Sequence, residues 1–345
     1  MSDERIALYT KYRPKNFTEV LGQEHVTTVL NEAIKLGNIA HAYLFSGTRG
    51  TGKTSIARIL AKEIGTSRDD MYEIDAASNT SVDDIRELNE SVNTLPFDSK
   101  YKVYILDEVH MLSKSAFNAL LKTLEEPPRH VIFVLATTEP EKIPDTVISR
   151  CEAYTFKKPN QKMLKEMVTK VAKQEGFSLE SSSADLIALL GDGSFRDTLG
   201  TLQKVINSSK DKKISVEEVE KVTGAPKGEL VNDYIKAISK KDIDAGLKAV
   251  GEAAENNIDM KVYLSLVLAK TRALLLLKFS KGSEKKMADS FSEEDLDFLK
   301  KLAEDKESSV NSTTLLELLN AYDVVGRSSI PQLPLEIALV NLCGE

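Results

Sequence analysis

Up to about Lys157, short runs of neighbouring apolar residues alternate with stretches whose apolar positions recur every three or four residues. The runs Ala42–Ser46, Met71–Ala76, Tyr101–Asp107, Val131–Thr137 and Ala153–Lys157 predict strands. Several are apolar at consecutive positions, as strands buried on both faces must be. Strands separated by helices predict an α/β fold, a central parallel sheet covered by helices. One helix is sharply marked: Ser113 can cap it, Phe117, Leu120, Leu121 and Leu124 form one stripe, and Pro127-Pro128 ends it.

After Pro159 the strand signal fades. Gln161–Glu175, Ser182–Leu190, Phe195–Ser208 and Ser215–Val222 read as four short helices of a small all-helical domain, with Gly224–Gly228 as a linker. The remainder reads as helices again, over Glu229–Ser239, Asp242–Asn256, Met260–Phe279, Glu293–Glu304, Ser309–Val325 and Leu333–Cys343, with Ser280–Ser290 as a mobile loop. The expected division is therefore 1–158, 159–224 and 225–345, which suits a chain of 345 residues, too long for one ordinary core.

Composition narrows the picture. With 41% apolar and 29% charged residues the chain reads as soluble and globular. A formal net charge of -7 argues against binding nucleic acid through bulk positive charge. Only Cys151 and Cys343 are present, too few for a four-ligand zinc site and suited to a reducing compartment. The start, MSDERIALYT, lacks the apolar stretch of a secretion signal. Val262–Phe279 is interrupted by Lys270 and Arg272, so a buried helix, not a membrane span, is expected there. The expected location is cytoplasmic.

Chemistry enters at Gly47-Thr48-Arg49-Gly50-Thr51-Gly52-Lys53-Thr54, which fits G-x-x-x-x-G-K-[ST] and is followed by Ser55. Glycines there permit backbone angles that let successive N–H groups face phosphates. Lys53 is expected on the β- and γ-phosphates of ATP, and the Thr54 hydroxyl on Mg²⁺. A strand ahead of the motif and a helix behind it, ending near Gly65, supply the required context, including the positive end of a helix dipole. The strand ending in Asp107-Glu108 supplies the complementary half, with Asp107 orienting Mg²⁺ and Glu108 polarising the attacking water. Thr137-Thr138 at another strand tip, Arg150 in Ser149-Arg150-Cys151, and Arg196 in the first turn of a helix are further candidates. By themselves these leave open plain strand-end threonines and surface arginines.

These residues resemble one family throughout: the gamma/tau subunits of the bacterial DNA polymerase III clamp loader, which are AAA+ ATPases. The resemblance rests on Tyr12-Arg13-Pro14, Phe17, Gly22-Gln23, Gly47–Thr54, Asp75-Ala76-Ala77-Ser78-Asn79, Leu106–Leu112, Asn118–Pro128, Ser149-Arg150-Cys151 and Gly193–Asp197. It implies an AAA+ P-loop domain, a helical lid and an all-helical collar. It implies that Thr138 is the first sensor, Arg196 the second sensor, and Arg150 an arginine finger serving a neighbouring subunit's ATP. Arg13, Pro14 and Val20 match the segment around adenine and ribose. The implied activity is ATP hydrolysis that opens a sliding clamp and loads it on primer–template DNA. The implied partners are the clamp, the DNA, and a five-subunit ring of copies of this chain with delta-like and delta-prime-like subunits, with no membrane.

One departure is large. The family's four-cysteine zinc module is replaced by Thr66-Ser67-Arg68-Asp69-Asp70, so no zinc is expected, and no tau-type extension is expected after the collar. Thr80, Arg86 and Lys114 are the candidate DNA-backbone contacts, although an ordinary solvated residue is the favoured reading of each. Two alternatives accompany the motor reading: a nucleotide-binding scaffold without turnover, and another AAA+ DNA motor such as a branch-migration helicase. Intact Lys53, Thr54, Asp107, Glu108 and Arg196 argue against the scaffold. The absence of a resemblance to a winged-helix tail argues against the helicase.

Overall fold

The computed structural model describes residues 6–78, 81–280, 291 and 293–344. Its contacts divide the chain into two compact units, Met1–Leu164 with Gly191–Gly200, and Lys165–Leu190 with Thr201–Glu345.

The first unit is built on a five-stranded parallel sheet: β1 (Ala42–Ser46), β2 (Met71–Asp75), β3 (Lys102–Asp107), β4 (Val131–Thr137) and β5 (Glu152–Thr155), in the order β2-β3-β4-β1-β5. The helices are α1 (Leu8–Lys11), α2 (Glu24–Leu36), α3 (Lys53–Glu63), α4 (Val82–Val92), α5 (Lys114–Glu125) and α6 (Asp145–Ile148). The side-chain period of two splits the central strands between two cores. Tyr43, Phe45, Val103, Ile105, Ile132 and Val134 pack with Val26 and Leu30 of α2 and Ile56 and Leu60 of α3. Leu44, Tyr104, Leu106, Phe133 and Leu135 pack with Ile85 and Leu88 of α4 and Phe117 and Leu120 of α5. At about 1.5–3 kcal/mol for each large side chain removed from water, these two layers dominate the unit's stability. Ser113 caps α5 by accepting from the Ala116 N–H at 3.2 Å, as its sequence position suggested.

Helix α7 (Gln161–Gln174) and α9 (Phe195–Ser208) each contribute residues to both units. In the second unit α8 (Ser181–Leu190) and α10 (Val216–Thr223) are accompanied by β6 (Ser178–Leu179) and β7 (Lys213–Ile214), which pair in parallel. The all-helical expectation for this stretch is corrected there. Two-residue strands are too short to leave a periodic signal, and both lie between the stretches read as helices.

Helices α11 (Gly228–Lys240), α12 (Ile243–Glu255), α13 (Met260–Phe279), α14 (Glu293–Glu304), α15 (Ser312–Val325) and α16 (Leu333–Cys343) share one apolar core. Within it Lys270 is 5% exposed and donates to Asp295 and Asn232 at 2.5 and 2.9 Å. A buried ion pair thus accommodates Lys270 inside this core. Among the described residues no helix is long and apolar enough to cross a membrane. The segment expected as a mobile loop falls at 281–290, outside the described residues apart from its first residue, Ser280.

Candidate functional site

The phosphate loop turns from the C-terminal end of β1 into α3, which starts at Lys53. Gly50 has φ of +74°, and a Cβ built on it would fall 1.9 Å from Ser194 Oγ. Its carbonyl accepts from the Phe195 N–H at 3.0 Å. A side chain at position 50 would therefore be strained by its backbone and blocked by the start of α9. Thr48 and Arg49 are exposed, Thr51 is buried, and Gly52, Thr54 and Ser55 are partly buried. Lys53 is 5% exposed, and its ammonium donates to the carbonyls of Gly47 and Thr48 at 2.7 and 3.0 Å. Burial pushes its pKa down, while the nearby Glu108 and Asp107 carboxylates pull it back up.

Those acids close β3. The Thr54 hydroxyl donates to Asp107 Oδ2 at 2.7 Å, joining the loop to the strand end. Glu108 adopts the left-handed conformation, φ 49°, which turns the chain sharply out of the strand into the turn Val109–Met111. A non-glycine residue held there costs about 1–3 kcal/mol and is held only where the surroundings over-determine it. Glu108 Oε2 accepts from the Thr138 hydroxyl at 2.9 Å. Lys53, Thr54, Asp107, Glu108 and Thr138 are thus gathered at the C-terminal edge of β1, β3 and β4, where ligands bind in sheets of this topology. A hydroxyl beside an acceptor-only carboxylate is a donor set suited to Mg²⁺, and the buried lysine beside them suits phosphate oxygens.

Arg150 is not part of this group. It precedes β5, and Tyr43 lies opposite Glu152 while Ser46 lies opposite Thr155. At about 3.3 Å per residue, Arg150 belongs to the opposite edge of the sheet, well over ten ångströms from the loop that follows Ser46. Its guanidinium donates to Thr146 O and to Glu125 Oε1, both at 2.6 Å. Arg196 is exposed, one residue beyond the Phe195 that touches the loop, with its guanidinium 5.1 Å from the centre of the Tyr9 ring. Arg13 and Pro14 follow α1 and are partly buried, while Val20 packs against the α2–α3 side of the sheet. Arg86 pairs with Asp83 at 2.8 Å, Lys114 is exposed at the start of α5, and Thr80 lies outside the described residues.

Two residues that carry no assigned role in the sequence reading matter here. Gln23 is fully buried; its amide donates to Lys157 O at 2.8 Å and accepts from the Lys157 N–H at 3.0 Å. The same amide nitrogen reaches Thr51 O at 3.4 Å. His110 lies between Thr137 and Glu139. The available signal was misplacement. Gln23 stands at the start of α2 and makes no cap bond, so its side chain is used elsewhere. His110 interrupts an apolar run, Val109 to Leu112.

Comparison with known proteins agrees with this frame. Residues 66–160 match the model described as "DNA polymerase III, delta subunit", and residues 214–345 match "DNA polymerase III subunits gamma and tau domain III". The chain is 41% identical over 299 residues to DNA polymerase III subunit tau of Bacillus subtilis, covering 81% of this chain and 53% of the relative. It is 36% identical over 360 residues to the gamma/tau subunit of Mycoplasma genitalium, covering 96% of this chain and 60% of the relative. The chain spans about half the length of the curated relatives it matches. Among solved structures it is similar to the Thermotoga maritima RuvB Holliday junction branch migration motor, at 23% identity and TM-score 0.54, covering 75% of this chain and 91% of that one. At that identity the likeness shows a shared fold only. With an AAA+ fold, two matching family models and this level of identity along most of its length, the chain belongs to the family of DNA polymerase III gamma and tau subunits.

Proposed function

We propose that this chain is an ATP-hydrolysing motor subunit of a replicative clamp loader, which opens a sliding clamp and loads it on primer–template DNA. One observation carries the reading: a loop lysine, the Thr54–Asp107 pair and the Glu108–Thr138 pair converge at one sheet edge. The identity to tau and gamma/tau subunits favours a loader over a branch-migration motor.

The roles follow from position. The amides of Gly47–Thr54 cradle the triphosphate at the head of α3. Lys53 exchanges its two loop carbonyls for phosphate oxygens. Thr54 and Asp107 hold Mg²⁺, which neutralises phosphate charge when bound. Glu108 takes the proton of the attacking water, and Thr138 senses the γ-phosphate or that water. Arg196, carried on α9, reads the nucleotide of its own subunit, with Arg13, Pro14 and Val20 near the base. Arg150 serves the neighbouring subunit. A trans arginine is worth about 10³–10⁵ in rate, or roughly 4–7 kcal/mol, so an isolated chain turns over slowly. In this reading 1–158 is the nucleotide-binding domain, 159–224 the lid and 225–345 the collar of a five-subunit cytoplasmic ring with delta-like and delta-prime-like partners.

The test is ATP hydrolysis by the reconstituted complex, with and without clamp and primed DNA. Strong stimulation by both is expected. Tight ATP binding with no turnover under any condition would replace the motor by a nucleotide-binding scaffold.

A further inference from the structure

No step above uses His110, although its side chain is 6% exposed and lies beside the acid pair. Nε2 is 3.0 Å from Glu139 Oε1, and Nδ1 is 3.1 Å from Thr137 Oγ1. Glu139 also takes Lys142 at 2.7 Å, and that hydrogen bond holds its carboxyl below the ordinary range. An ionised carboxylate only accepts, so Nε2 carries the proton. In the neutral ring Nδ1 is then an acceptor, which the Thr137 hydroxyl satisfies by donating. Thr137 Oγ1 in turn accepts from the Glu139 N–H at 3.0 Å. The loop His110–Thr137–Glu139 is closed and fully matched.

What the loop encloses is Thr138. Both neighbours of that residue are tied to one imidazole, and its hydroxyl sits on Glu108 Oε2. His110 Nδ1 itself stands 3.5 Å from Glu108 Oε2, too far for a direct hydrogen bond. Its influence on the acid therefore runs through the strand tip. We propose that His110 is a positioning residue for ATP hydrolysis, bracing the tip of β4 so that Thr138 fixes the direction of Glu108. The inference rests on Glu108 acting as the base.

The experiment compares wild type, His110→Ala, His110→Gln and Thr137→Val as purified full chains. ATP affinity and the single-turnover hydrolysis rate are measured separately. His110→Ala is expected to slow hydrolysis about 10–100-fold, as displaced catalytic groups do, with ATP affinity within about twofold of wild type. Glutamine places an amide nitrogen near the position of Nε2 and should restore most of the rate by keeping the Glu139 bond. Thr137→Val, nearly isosteric at a fully buried position, should slow the step more mildly, and combining it with His110→Ala should add almost nothing. An unchanged rate in Thr137→Val and His110→Ala overturns the proposal, as does an equal loss of affinity and rate that glutamine leaves unrepaired. A reconstituted complex of wild-type chains that binds ATP without ever hydrolysing it overturns the motor reading as well, which separates the two failures.

Discussion

Replacing Gln23 by alanine should loosen the phosphate loop without touching any group that meets the nucleotide. The Gln23 amide, itself fully buried, pairs with the Lys157 peptide in both directions, at 2.8 and 3.0 Å, through two half-buried hydrogen bonds. Alanine leaves one N–H and one C=O without these partners. At about 0.5–1.5 kcal/mol for each half-buried hydrogen bond lost, the cost is roughly 1–3 kcal/mol. The third contact, to Thr51 O at 3.4 Å, is long and adds little energy, but it is the one that touches the loop. Urea unfolding followed by circular dichroism measures the stability, and titration with a fluorescent ATP analogue measures the loop. We expect a lower unfolding midpoint for the sheet unit and weaker nucleotide binding at temperatures where the variant is still folded. A variant within about 0.5 kcal/mol of wild type, the usual size of an inconsequential surface change, would refute the bracing argument.

Lys53→Ala should abolish measurable ATP binding in the same titration, because no other buried cation adjoins the loop among the described residues. Glu108→Gln should bind ATP as tightly as wild type while hydrolysis falls by about 10²-fold or more, the usual worth of a general base, read as retained unhydrolysed nucleotide after rapid filtration. Arg150→Ala should leave the slow hydrolysis of isolated chains unchanged and remove the acceleration seen on assembly, which mixing with Lys53→Ala subunits would reveal. Asp70→Asn should lower the melting temperature at neutral pH and flatten its fall in acid. Hydrogen bonds from the Phe97, Asp98 and Ser99 amides hold the Asp70 carboxyl well below the carboxylate range, against the opposing effect of burial. A depressed folded-state pKa gives stability that is complete above the ordinary aspartate pKa of about 3.9 and is lost as pH falls below it.

How far the fold was legible depends on how each strand is buried. β1 and β4 run over Ala42–Ser46 and Val131–Thr137, the limits their apolar runs suggested, because both faces are covered and every position is apolar or small. β5 is an edge strand with mostly exposed positions, and it covers Glu152–Thr155 where Ala153–Lys157 was expected. β2, the other edge, is likewise mostly exposed, yet its limits differ only at Ala76. The helix limits agree to within one to three residues wherever a cap or a proline marks them. The left-handed turn at Glu108 had no signal at all, since glutamate seldom adopts it and only the surrounding contacts impose it.

The site was legible in its parts and not in its arrangement, and the parallel sheet explains why. Residues at the C-terminal ends of β1, β3 and β4 converge because parallel strands bring like ends together, so any sequence-placed loop after one strand meets acids after another. The same rule forces residues preceding a strand to the far edge. Arg150 precedes β5 by the two residues that put it level with the start of β1, and it lies beside Glu125 at the end of α5. No side-chain rotation spans the depth of a sheet about four residues thick. If Arg150 ever meets a γ-phosphate, the phosphate must belong to another molecule, so only assembly can add this arginine's acceleration to the proposed reaction, and the Arg150–Glu125 pair must be given up when that contact forms.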